Sequence, residues 1–399
     1  MDKLQILKKL QILSFYLVLI LLPTQLGKHY WLSESLVRGF RVDYVTICFY
    51  LTDFLILIFV SLEFLLNKKI KKQFFYLPLI ILTWNFIQLF WTPLKIFQVF
   101  FSVKVFIFLI FALIVARKKF NFSVISKIFS FQLLFLFLLS LAQFLLTHSV
   151  DGIFYFLGER RFNLLTPGIA QENLGGRLWL RPYATFSHPN VLAGYVVLVL
   201  TFLLLNLKKV NLKLVLISLL AGILTLMLTF SVAGMAVFLI AGILLLLLKF
   251  KEGFLLQNSK KMLLLSLVFS FLAPILLLLF SDNNEAVWLR NLIFLNNLQN
   301  LPQNFLLGVG WFGNLVLKNP NLSVKSVQPI HNFFWQLLFS VAILPLALLM
   351  VKYGRRFINN LTKQQVILLI LICLLGAFDH YLLSSQQGIL LMLVLLCLK

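Results

Sequence analysis

The sequence predicts an all-α integral membrane protein of about twelve transmembrane helices, a single polytopic domain spanning residues 1–399. Three observations predict it. Apolar residues make up 61% of the chain and charged residues only 12%, too little polar surface to solvate a core of this length. Apolar runs close to the ~20 residues that cross a bilayer recur from end to end. Basic residues gather in short clusters between those runs, the pattern of topology signals.

The runs lie near 8–26, 44–66, 74–92, 94–116, 122–147, 187–206, 211–229, 231–250, 261–280, 330–351, 364–379 and 384–398. The first follows Lys3, Lys8 and Lys9 as a signal peptide would. It has no small-residue cleavage site, so it reads as a first helix. Thr92-Pro93 splits the third run from the fourth, and Gly222 and Gly234 flank a tight turn near Phe230. The last two runs are short enough to form one interrupted element. Lys104 sits near mid-membrane and calls for a carboxylate such as Asp53 or Glu63.

The net charge of +23 follows from these clusters and does not imply a nucleic-acid partner. Alternate inter-run segments hold 22 of the 35 basic residues, and the others hold ten. By the positive-inside rule both termini are cytoplasmic, in a cell (inner or plasma) membrane. Cys48, Cys373 and Cys397 all lie in apolar segments and read as small buried hydrophobes. Neither a nucleotide-binding loop nor a metal-ligand spacing is present, so no cofactor and no metal are expected.

The opposite face carries two long extracytoplasmic loops, 148–186 and 281–329. Loops of this length in a compact protein are functional or disordered. Their aromatic residues, Phe154 to Phe156 and Trp288 to Phe294, predict short interfacial helices. All five histidines fall on this side or at its membrane edge.

Three constellations there could carry chemistry, and each has a plainer reading. Arg181-Pro-Tyr-Ala-Thr-Phe-Ser-His188-Pro-Asn190 leads into the sixth run. Its Arg suits a phosphate, or the stretch is an interfacial loop with a polar helix start. The second runs from Arg290 through Gly308-Val-Gly310 to His331-Asn332. The glycines allow close backbone approach or positive φ, and His331 can act as a general base or simply cap a helix. The third, Asp379-His380-Tyr381 with Ser384 and Ser385, is a costly charge at membrane depth or a polar hairpin tip. Lys95 lies near the outer end of its helix and can face the same site.

These residues resemble the O-antigen ligase and O-antigen polymerase family of polytopic lipid-linked glycan transferases. The carrying residues are Arg181 to Ala193, Arg290, Gly308-Val-Gly310 and His331-Asn332, within about 175–350. The resemblance implies a C-class glycosyltransferase-like membrane fold without a metal. It implies transfer of a glycan from an undecaprenyl-diphosphate-type (polyprenyl diphosphate) carrier to an acceptor hydroxyl on a glycan, lipid or protein, with membrane lipid around it. Arg181 and Arg290 then match the phosphate-binding arginines, and His331 the loop His that activates the acceptor. His188, Asn190, Asn332, Lys95, Arg177, Asp379 and His380 are the expected substrate-binding neighbours. The chain departs from the pattern at Ala342 and Pro345, where glycines are expected. It departs again at Ser231-Val232, where an Arg commonly follows the Ser; Lys95, Arg177 or Arg160 are candidate substitutes.

Ligase is the first reading, with repeat-unit polymerase of the same family as the alternative. A transporter or lipid flippase without bond chemistry is the alternative of another class, and a non-catalytic scaffold is a third.

Overall fold

The computed structural model describes residues 3–37, 39–67, 75–280, 285–300, 305–316 and 327–398. Lys68, Lys69, Lys71, Lys72, Pro302 and Lys399, read above as topology or loop signals, lie outside the described residues. The protein is all-α in its main body and membrane-embedded. In chain order the helices are α1 (Lys3–Leu21), α2 (Leu51–Leu66), α3 (Tyr76–Ile87), α4 (Lys95–Val115), α5 (Phe122–Leu146), α6 (Ile153–Phe156), α7 (Pro189–Leu205), α8 (Leu212–Thr229), α9 (Val232–Phe250), α10 (Glu252–Leu277) and α11 (Glu285–Gln299). After the second loop come α12 (Phe333–Val341), α13 (Ile343–Leu349), α14 (Arg355–Asn359), α15 (Lys363–Phe378), α16 (Tyr381–Ser384) and α17 (Gln386–Cys397).

Among the described residues, six helices are long and apolar enough to cross a membrane: α1, α4, α5, α8, α9 and the Gln257–Leu277 part of α10. A bent pair, Phe333–Val341 with Ile343–Asn359, makes a seventh if counted as one span. The remaining apolar helices are shorter than the expected runs. α2, for example, has 16 residues, or about 24 Å against a ~30 Å hydrocarbon core. The first part of its run, Ile47–Tyr50, is instead a strand paired antiparallel with Gly27–Tyr30. β-branched and aromatic residues at that end favour the extended chain. Two further hairpins pair Leu36–Val37 with Phe40–Arg41 and Gln171–Leu174 with Arg177–Leu180. Of the interfacial helices expected in the long loops, the first reduces to the single turn α6, while α11 is a full 15 residues.

Buried polar pairs tie the helices together. Lys104 Nζ lies 3.0 Å from Asp53 Oδ2, and Lys118 Nζ lies 2.7 Å from Glu63 Oε2. Gln386 Nε2 also donates to Asp53 Oδ1 at 2.6 Å, so α17, α2 and α4 share one charge pair. Desolvation of both charges offsets much of their attraction, so removing one partner would cost more than the intact pair contributes.

The run at 330–351 is not one helix. It bends by 102° between Phe333–Val341 and Ile343–Asn359. The break falls on Ala342, at φ 85° and ψ 162°. This is where the family pattern expects glycine, and an L side chain there costs about 1–3 kcal/mol. Gly308 (φ 68°) packs against the break so closely that a Cβ would come within 2.8 Å of the Ser340 carbonyl. Gly310 (φ 82°) likewise leaves no room before Thr92 and Gln98. Both glycines therefore meet both conditions read from the sequence, close approach and positive φ. Pro345 sits inside α13, beyond the break, and is buried.

Replacing Ala342 tests whether the bend is strained. Ala342→Gly should keep or raise the thermal midpoint of the detergent-solubilised protein. Relief of the positive φ offsets glycine's extra chain entropy of about 0.5–1 kcal/mol. Ala342→Val, β-branched at positive φ, should lower the midpoint by several degrees. An equal loss in both variants would show that Ala342 is unstrained.

Candidate active site

Three helix ends meet at the candidate site. His188 is the N-cap of α7, and its Nδ1 accepts from the Asn190 amide at 3.1 Å. Asn332 is the N-cap of α12, and Asp379 is the C-cap of α15. A helix end inside a protein leaves unsatisfied backbone groups, and polar side chains close them here.

Arg181 reaches in from the end of the 148–186 loop. Its Nε donates to the Thr229 carbonyl at 2.8 Å and its Nη2 to Asn190 Oδ1 at 3.0 Å. Asn190 thus orients an arginine. Arg290 comes from α11 on the other long loop, and no hydrogen bond or ion pair fixes its guanidinium among the described residues. Its charge is felt at Arg181, His188, His331, Asp379 and His380. That shared influence brings together side chains spread over some 200 positions of sequence.

His331 is the chemically informative member. Its Nε2 lies 3.0 Å from Gln328 Oε1. A carboxamide oxygen only accepts, so Nε2 carries the proton and Nδ1 is a bare lone pair. That Nδ1 is buried without a hydrogen-bond partner and lies 4.0 Å from Asp379 Oδ1. The side chain as a whole keeps 19% exposure. His380 has a parallel arrangement: Nδ1 is 2.7 Å from Ser384 Oγ and Nε2 is 3.9 Å from the same Asp379 oxygen. The two imidazole centroids are 5.1 Å apart.

Burial alone would raise the Asp379 pKa, but His380, His331 and Arg290 draw it down to about 2. Burial lowers the His188 pKa to about 4, and Arg181 and Arg290 add to the effect against Asp379. Burial likewise pushes His331 well below 6.5. At neutral pH the site therefore holds one carboxylate, neutral imidazoles and cationic guanidiniums. His331, Asp379 and His380 place a ligand atom each within 4.8 Å of one another. With each outer ring nitrogen held by an oxygen, this donor set also suits a divalent transition metal.

The other expected residues are engaged elsewhere or sit in other elements. Asn332 is fully buried, with Oδ1 accepting from the Phe334 and Trp335 amides and Nδ2 donating to the Ser270 and Ala377 carbonyls. All its hydrogen-bonding capacity goes to the junction of α12, α10 and α15, leaving none for a ligand. Arg177 stacks over Trp179 at 4.5 Å in its own hairpin. Lys95 starts α4, whose first free amides, those of Ile96 and Phe97, bind Glu34. Val232 is 76% exposed and contributes no polar group.

Several residues that position the site carry no motif. Gln143 Oε1 accepts from the Tyr183 and Ala184 amides, fixing the turn between Arg181 and His188. Buried Glu159 accepts from Gln143 and from the Val150 and Asp151 amides. Arg160 donates to the Ser187 carbonyl at 3.4 Å, and its charge reaches Tyr44 and Tyr183. Tyr44 packs edge-on against His380 at 5.3 Å. The one available signal was Gln143, a carboxamide in the last turn of an apolar helix, which needs a partner.

Comparison with protein-family models, curated proteins and solved structures finds no match.

The depressed His188 pKa makes stability depend on pH. An unfolded chain takes up the proton below about 6.5, while the native His188 resists it until about 4. Its contribution is present above pH 6.5 and is lost as pH falls toward 4, by up to ~1.4 kcal/mol per unit. His188→Asn keeps a capping acceptor and removes the titration. Its thermal midpoint should fall less between pH 7 and 5 than that of the wild type; equal slopes would contradict the buried neutral imidazole.

Proposed function

We propose that this chain is an extracytoplasmic glycosyltransferase of O-antigen ligase type. It would move a glycan from a polyprenyl diphosphate carrier to an acceptor hydroxyl. The observation that carries the reading is the unpartnered Nδ1 of His331, set beside ionised Asp379 within the field of Arg290 and Arg181. We further propose twelve passes, the shorter apolar helices being completed by non-helical segments at the site face. Both termini would be cytoplasmic in a cell membrane, as the basic clusters imply.

The chemistry needs two things. The leaving diphosphate must have its growing charge neutralised, and the acceptor must lose a proton as it attacks. Arg290, whose guanidinium has no hydrogen bond among the described residues, and Arg181, fixed through Asn190 and Thr229, would hold the diphosphate. The acceptor hydroxyl donates to His331 Nδ1 and its oxygen bonds to the anomeric carbon. The anomeric C–O bond breaks, and its electron pair leaves on the diphosphate. The proton stays on His331 as imidazolium beside Asp379, which stabilises it, while Gln328 keeps the ring in register. Inversion at the anomeric carbon is expected. Ligase and polymerase share these steps and differ only in the acceptor.

His331→Ala should lower transfer from a polyprenyl-diphosphate-linked sugar by roughly 10²–10⁴-fold, with protein level and monodispersity unchanged. Arg290→Ala should lose most activity, and full transfer by Arg290→Ala would sink the assignment. The acid limb of kcat/KM should fall below pH 6.5, because protonation silences His331 only under its lowered pKa. Chelation separates the two uses of the Nδ1 lone pair. Full activity in EDTA fits proton abstraction, while loss restored by added Zn2+ would assign His331, Asp379 and His380 to a metal. Vesicles that translocate labelled carrier with no new glycosidic bond would favour a flippase.

A further inference from the structure

His331, Asp379 and His380 come from two turns far apart in sequence, one before α12 and one between α15 and α16. Their free ligand atoms nevertheless converge. Asp379 Oδ1 lies 4.0 Å from His331 Nδ1 and 3.9 Å from His380 Nε2, and the three atoms lie within 4.8 Å of one another. Ligand atoms at the ~2.0–2.1 Å bond lengths of a tetrahedral Zn2+ stand about 3.3 Å apart, so each must move inward by about 1 Å or less.

Each donor is prepared for an ion by a different neighbour. Gln328 Oε1 accepts the His331 Nε2 proton, and the bare Nδ1 is buried with no hydrogen-bond partner. Ser384 Oγ, 2.7 Å from His380 Nδ1, can accept that nitrogen's proton and leave Nε2 bare. The His380 amide donates to Asp379 Oδ1 at 2.7 Å and holds the carboxylate in place. An oxygen on each outer ring nitrogen is the usual support of a metal-bound histidine. His188 is not a fourth donor, because its Nδ1 takes the Asn190 amide and Nε2 keeps the proton.

The donor set selects the ion. Two imidazoles and one carboxylate suit Zn2+ and similar divalent transition ions, whereas Mg2+ and Ca2+ take about six or more oxygens. Three protein ligands leave a fourth position for water. The His331 side chain is partly exposed, so an ion can reach it without unfolding.

We propose that His331, Asp379 and His380 form a divalent transition-metal site whose occupancy switches transfer off. The switch rests on the transfer reading above; the metal site does not. The ion takes the same Nδ1 lone pair that receives the acceptor's proton. A coordinated Nδ1 has no lone pair left for a hydroxyl, so metal binding and acceptor deprotonation exclude each other.

The experiment uses the full-length protein in detergent, stripped with EDTA, moved to chelator-free buffer and titrated with Co2+ and then Zn2+. One Co2+ per chain should give the strong visible bands of four-coordinate Co2+, and Zn2+ should abolish them. Zn2+ should also raise the thermal midpoint. Over the same concentration range it should lower transfer about as much as loss of His331, roughly 10²–10⁴-fold, with EDTA restoring it. His331→Ala and His380→Gln should lose the bands and the midpoint shift, and any transfer left in His380→Gln should resist Zn2+. Ser384→Ala, which keeps all three donors, should weaken binding about 10–100-fold. His29→Ala with His148→Ala, both exposed, should leave binding unchanged. Binding that is absent, or that survives loss of His331 and of His380, overturns the metal site while the transfer reading stands. Binding at the trio with transfer unaffected by Zn2+ overturns the switch, and transfer that requires the ion overturns the base role of His331 with it. Binding at the trio with no transfer by the metal-free protein leaves the metal site and overturns the transfer reading.

Discussion

Backbone polar groups at a helix end need a partner, and at membrane depth water is not there to supply one. This chain meets that constraint with uncharged carboxamides. Gln98 accepts from the Trp311 amide and Gln88 donates to the Leu307 and Ser340 carbonyls, closing the backbone around the two loop glycines. Gln336 accepts from the Ile330 amide, directly before His331. Asn332 joins α12 to the carbonyls of Ser270 and Ala377. Gln387 reaches the Pro23 and Thr185 carbonyls, linking α17 to the loop that carries His188. Each of these side chains is at most 2% exposed. Because carboxamides are neutral, they fix interrupted helices without adding charge. The few ionised groups can then set the field of the site.

That separation explains the pattern of pKa shifts. Asp379 is buried, which should favour its neutral form, yet its surroundings keep it ionised. The histidines around it are pushed toward their neutral forms by burial. An ionised carboxylate between neutral imidazoles is poised to accept a positive charge on either ring at low cost. The system is closely coupled, so the proton belongs to the cluster as much as to one ring. Gln328 and Ser384 break the symmetry by binding the outer nitrogens. His331 is left with a lone pair that has no hydrogen-bond partner, while His380 packs edge-on against Tyr44.

The membrane class, most helix positions and the need of Lys104 for a carboxylate were legible in the sequence, because apolar length and lone charges in lipid have few solutions; that Asp53 and not Glu63 supplies it was decided by packing. The motif glycines Gly308 and Gly310 were legible for the same reason, since their backbone geometry excludes side chains. Helix lengths were not. Hydropathy registers Ile47–Tyr50 and Leu51–Leu66 as one apolar run, and only pairing with Gly27–Tyr30 makes the first part a strand. Pro345 pointed to a kink in the 330–351 run, but the 102° bend falls three residues earlier, at Ala342, an ordinary helix former. Asn332 and Asn190 were legible as polar residues near the site, but their partners decide that they hold protein groups. Glu159 and Tyr44 had no local signal, and Gln143 only that of a carboxamide inside an apolar helix, since each acts through its tertiary contacts.

The valine at 232 can now be weighed in physical terms. The α8–α9 junction reaches the site through the Thr229 carbonyl, which orients Arg181. Ser231 caps α9 by accepting from the Gly234 amide. A Cβ on Gly234 would stand 2.8 Å from the Ala193 side chain, so this junction is pressed against α7. Its positional task is therefore complete without a cation at 232. The remaining cation of this region is Arg160, which donates to the Ser187 carbonyl directly before His188.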